Sequence, residues 1–89
     1  SLAQFVASNK LTETRIQAAR SKAVFKGKRS GVTTFAQRDW YWWLESTATE
    51  VENFYRLEIR VALAENLQDQ PLHTLVAFSA GKVAGEGDG

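Results

Sequence analysis

Few side chains in this sequence could do chemistry, and their spacing argues against most of it. His73 is the only histidine, and with no cysteine anywhere it has no companions at metal-ligand spacing. A nucleophilic triad would need it beside a serine and an orienting carboxylate, and no motif arranges that. Glu50, Glu52 and Asp69 stand in polar, loop-like stretches without the paired carboxylate that acid–base work requires. Glu86-Gly87-Asp88-Gly89 holds too few ligands for a calcium loop, and no glycine-rich phosphate loop occurs. The remaining candidate is aromatic: Tyr41 and Trp43, flanked by Arg38 and Arg56, would suit a stacking platform for a carbohydrate or a single-stranded nucleic acid. A small aromatic-platform carbohydrate-binding module is therefore one alternative. No catalytic residue, cofactor or metal is expected.

These aromatics belong to two stretches with the period-2 alternation of half-buried strands. In Trp40-Tyr41-Trp42-Trp43-Leu44-Glu45, Trp40, Trp42 and Leu44 share one face, and Tyr41, Trp43 and Glu45 the other. In Phe54–Ala64, Tyr55, Leu57, Ile59, Val61 and Leu63 alternate with Arg56, Glu58 and Arg60. Burying one Trp removes about 150–250 Å² from water, worth roughly 4–6 kcal/mol at ~25 cal/mol/Å² before ordering entropy is subtracted. Trp40, Trp42, Leu57, Ile59 and Val61 are accordingly the expected core.

The flanking segments complete an α+β plan. Roughly Leu2 to Ala19 is expected to be a helix, with Leu2, Phe5, Val6, Asn9, Thr12, Glu13 and Ile16 on a half-apolar stripe. Arg20 to Gly31 reads as a basic connector broken by Gly27 and Gly31: a solvated loop, or a contact for an acidic partner or lipid head groups. Val32–Phe35 and Leu72–Phe78 suit a first and a last strand, with a polar turn over Glu65–Pro71. The expectation is one domain, 1–89, a helix on a small antiparallel sheet of about four strands. Residues 82–89 are expected to form a flexible tail.

Composition sets bounds. At 89 residues the chain is a single small domain burying roughly 60–65 % of its unfolded surface. Eleven basic and ten acidic side chains leave a net charge of +1, so no global field recruits nucleic acid or membrane. Seven of the basic residues precede Val32, however. No run approaches a membrane span. With no Met, even at position 1, the chain is expected to be a processed part of a longer protein.

Several segments carry a family resemblance. Val6-Ala7-Ser8-Asn9-Lys10-Leu11-Thr12-Glu13-Thr14-Arg15-Ile16 resembles the A-D-N-Q-L-A-E-L-R-L helix of the minor pseudopilin I (GspI) family of bacterial type II secretion systems. Phe35-Ala36-Gln37-Arg38-Asp39-Trp40-Tyr41-Trp42 is similar to its F/L-A-G-R-x-W-x-W strand, Arg56–Val61 to its R-R-V-x-V-x-V strand, and Leu75–Phe78 to its closing L-x-x-F. Gln37 stands where the family usually has Gly, and Ser8 where an acid is common. The resemblance implies a pseudopilin fold and no enzyme activity. It implies a periplasmic domain whose full-length form is anchored in the inner membrane by an N-terminal helix missing here. It also implies a structural role at the pseudopilus tip, in a heterotrimer with the minor pseudopilins J and K, helping to initiate pseudopilus assembly for protein export. On the family's mode of association, Phe5, Asn9, Thr12, Ile16 and Gln17 are the expected partner contacts. A type IV minor pilin is the second alternative.

Overall fold

The computed structural model describes residues 1–83. Helix α1 spans Leu2–Ser21. Ser1 caps it, its Oγ accepting from the Gln4 amide at 3.2 Å. Lys22 closes it in the left-handed conformation (φ 56°), its amide donating to the Ala18 carbonyl.

Four strands follow, β1 Gly27–Phe35, β2 Arg38–Ala48, β3 Phe54–Ala62 and β4 His73–Ala80, with a short 3₁₀ turn at Glu65–Leu67 before β4. They pair in chain order as an antiparallel meander with β1 and β4 at the edges. The alternation read in β2 and β3 is the observed one. Trp40, Leu44, Leu57, Ile59 and Val61 point inward and are buried. Arg56, Glu58 and Arg60 line the opposite face.

The helix lies mainly over β3 and β4, and it does so through a different stripe from the expected one. Ala3, Val6 and Ala7 are buried, with Leu11 packed against the same core. Of the stripe drawn from the sequence, only Val6 belongs there. The small side chains of Ala3 and Ala7 let the helix sit close to the sheet, and Phe5 and Ile16 are left on the outside.

β1 also differs from its reading as a connector ending at Gly31. Gly31 is not a breaker but the seat of Trp42, its cross-strand neighbour. A Cβ at Gly31 would lie 2.7 Å from Trp42 Cζ2. Lys10 Nζ covers the same indole from above, 4.2 Å from the ring centroid. Trp42 is thus held between a bare backbone and an ammonium group, partly rather than fully buried.

The turn from β1 to β2 places both Ala36 (φ 54°) and Gln37 (φ 65°) in the left-handed region, as a two-residue hairpin of mirror-image type demands. Neither residue is suited to it. At the other end, Val24 and Val83 form a parallel bridge, the Val24 amide donating to the Lys82 carbonyl at 2.7 Å, and both pack with Tyr55 in a second small core. Lys82 and Val83, assigned to a tail by the sequence, are therefore fixed to the fold. The rest of that tail, 84–89, lies outside the described residues.

Two substitutions of opposite sign test these glycine assignments by urea denaturation. Gly31→Ala is expected to destabilise by about 1–3 kcal/mol through overpacking against Trp42. Gln37→Gly is expected to stabilise by up to about 1 kcal/mol, because relief of the left-handed strain exceeds the added freedom of the unfolded chain.

Candidate functional site

With its inner stripe on the sheet, α1 turns a second stripe outward. Phe5 and Ile16 are each 48 % exposed, and Asn9 and Thr12 between them are exposed. Spacings of four, three and four residues keep these side chains in line along about 16 Å of helix. Leu2, equally exposed, extends the apolar end. The Phe5 ring stacks on Phe35 at the hairpin tip, centroids 5.0 Å apart and planes 14° from parallel, so it is held in place while still open to solvent. Thr12 turns its hydroxyl back to the Ser8 carbonyl at 3.1 Å.

Four of the five residues expected to meet a partner are brought onto this stripe. Gln17, also exposed, is not. It faces sideways into the cleft between the helix and the start of β1. Leu2, placed on the expected stripe but not among the expected partner contacts, joins this outward face.

The outer face of the sheet holds the aromatics of the alternative reading. Tyr41 and Trp43 are half-buried in the middle of β2, opposite Val32 and Ser30 of β1. The arginines that would serve a platform there are committed elsewhere. Arg38 lies over the Trp40 ring, 5.6 Å from its centroid. Arg56 donates through Nη1 to Glu58 Oε1 at 2.9 Å, and Arg60 through Nε to Glu58 Oε2 at 2.7 Å. Arg60 also reaches Asp69 at 3.6 Å. The hydrogen bonds from Arg56 and then Arg60 pull the Glu58 carboxyl below its ordinary value. His73 sits at the start of β4 opposite Val61. No group of three metal-ligating side chains exists among the described residues.

This arrangement defines a class: a small α+β domain, one helix on a four-strand antiparallel sheet, with a partly apolar helix face turned outward. Residues 1–80 match the family described as type II secretion system (T2SS), protein I, and the chain belongs to that family. One chain of the GspK-GspI-GspJ complex from the type 2 secretion system of enterotoxigenic Escherichia coli is similar in structure. The TM-score is 0.70, with 22 % identity and 89 % of each chain covered. At that identity the likeness is one of fold, and it extends to the helix laid on an antiparallel sheet. No curated protein matches the chain.

The pair of arginines around Glu58 has a consequence for acid stability. A carboxyl depressed in the folded state stabilises the fold above its unfolded value, near 4.5, and that contribution is lost as pH falls through the folded value. Glu58→Gln is therefore expected to be less stable than the parent at neutral pH, with the gap closing below about pH 4.5. Urea midpoints of the two proteins measured down the acid range check this. A gap independent of pH would show that the carboxylate's charge is not what matters.

Proposed function

We propose that this chain is a minor pseudopilin: a structural subunit that joins minor pseudopilins J and K in a tip complex and helps initiate pseudopilus assembly for protein export. It acts by binding and not by catalysis. The observation that carries this reading is the outward line Phe5–Asn9–Thr12–Ile16 on a helix whose other side is already buried. Apolar ends with polar side chains between them suit a neighbouring helix: Leu2, Phe5 and Ile16 supply area to remove from water, and Asn9 and Thr12 fix register. Family membership and the GspK-GspI-GspJ neighbour support J and K as the partners. In this reading the domain faces the periplasm, held at the inner membrane by a helix preceding residue 1. No helix among the described residues is long and apolar enough to cross a membrane.

The test is size-exclusion chromatography with light scattering, on this chain alone and mixed with the soluble domains of J and K. A defined complex is expected, weakened at least about tenfold by Phe5→Asp or Ile16→Asp, since each places an unpaired charge in a desolvated contact. Val51→Asp, at an exposed position in the loop between β2 and β3, should leave the complex intact. Independent elution of well-folded domains at tens of micromolar would overturn the assignment of J and K.

A further inference from the structure

Strand β4 forms one edge of the sheet, and no strand among the described residues pairs with its outer side. In an antiparallel ladder alternate residues bond to one neighbour, and those between them turn N–H and C=O the other way. Gly81 donates to the Asn53 carbonyl at 2.8 Å, which sets the phase: Ser79, Ala77 and Leu75 bond to β3 opposite Tyr55, Leu57 and Ile59. Thr74, Val76 and Phe78 therefore present their amides and carbonyls to the open edge. One of these carbonyls, that of Phe78, meets Arg15 Nη2 at 3.3 Å. Just past the strand the Lys82 carbonyl accepts from Val24, which closes the edge there. The open part has the features of an adhesive edge. Thr74–Ala80 holds no charged residue, no proline and no glycine, and Val76 and Phe78 are 42 % and 48 % exposed on the outer face. The opposite edge, β1, is guarded by Lys28 and Arg29 and weakened by Gly27 and Gly31.

We propose that β4 pairs with β4 of a second copy of this chain, antiparallel and two-fold symmetric about Val76, joining two four-stranded sheets into one. A row of edge groups is matched by another extended backbone, not by a helix, whose own groups are bonded internally. The phase of the free groups selects a copy. Positions 74, 76 and 78 are symmetric about 76, so the two-fold sets Val76 opposite Val76 and Thr74 opposite Phe78, and each exposed amide meets a carbonyl. With no charge along the strand, two copies meet no like-charge repulsion across the ladder. Pairing β4 with β1 of a copy would leave further edges open and propagate, and it would desolvate Lys28 and Arg29, whereas β4 on β4 closes. The symmetry puts both helices on one face of the joined sheet. Because α1 lies mainly over β3 and β4, they would run about 10 Å apart, an ordinary packing distance, so the contact has more area than the edge alone. This self-pairing needs neither J nor K and does not rest on the tip-subunit reading.

The chain has no cysteine, so single substitutions to Cys read the register. Val76→Cys is expected to cross-link to its own copy under mild oxidation, because a bonded antiparallel pair sets Cα atoms about 5.5 Å apart, within disulfide reach. Thr74→Cys and Phe78→Cys should each fail alone and cross-link when mixed. Sedimentation of the parent chain should show a reversible dimer by about 0.1–1 mM, as a small interface implies. Val76→Pro removes an amide that bonds to nothing in the monomer, so it should lose the dimer and keep a cooperative urea transition. If that variant unfolds, Val76→Lys, which brings like charges together at the axis, should lose the dimer instead. A parent chain that stays monomeric to about 1 mM, a dimer lost in Ile16→Asp but kept in folded Val76→Pro, or cross-linking as efficient at position 74 as at 76 would overturn the proposal. So would protection of the Thr74, Val76 and Phe78 amides from exchange by the J or K domain and not by rising concentration, which would give the edge to a strand of a partner subunit.

Discussion

Because α1 meets the sheet through Ala3, Val6 and Ala7 instead of through large side chains, it can lie close to Leu44, Ile59 and Val61, and much else follows from that closeness. A sheet of four short strands offers room for one helix, and a helix seated on alanines exposes whatever bulk it carries. Phe5 and Ile16 are therefore on the outside as a consequence of how the inside is packed. Replacing the alanines with larger residues would lift the helix and loosen the core beneath it.

The same economy of space governs the aromatic strand. Trp40 is buried at the hairpin end, its Nε1 donating to the Phe35 carbonyl at 2.8 Å, so its polar atom is satisfied. Trp42 lies toward the side of the sheet that α1 covers least. Its ring is covered instead by Gly31 below and Lys10 above, and its Nε1 has no protein partner. Lys10 in turn is paired with Glu13 at 2.9 Å, which holds the ammonium near the indole. A residue that looks from its type like a solvated helix lysine thus serves as part of the lid on a tryptophan, its stem buried and its charge in contact with a ring face.

How much of this was readable depends on which signal each element carries. The strand β3 was legible because Tyr55, Leu57, Ile59 and Val61 alternate strictly with Arg56, Glu58 and Arg60, and only one register buries the first set. Residues 2–19 were legible as a helix from their propensity, but the buried face was not, since alanines carry little hydrophobic weight in a sequence pattern. Gly31 was misread because a glycine that ends a strand and one that makes room for a cross-strand ring look identical until the partner is known. The ordering of Val83 depends on Val24, almost sixty residues away, and no local pattern encodes such a bridge. Four of the five residues expected as partner contacts from helical spacing and family likeness lie together on the outward helix face.

The weak amphipathic signal of α1 has a physical reading of its own. A helix packed once has one apolar side and a clear direction to its hydrophobicity. Here Ala3, Val6, Ala7 and Leu11 point one way, while Leu2, Phe5 and Ile16 point another, and the two contributions largely cancel. Such cancellation is expected of a helix meant to be covered twice, by its own sheet and by a neighbour. A chain of 89 residues has little apolar surface to spare, so leaving three large side chains outside is costly unless association recovers them. On the proposed reading, the stability of the free domain and its capacity to assemble draw on one limited stock of hydrophobic residues, divided between two faces of a single helix.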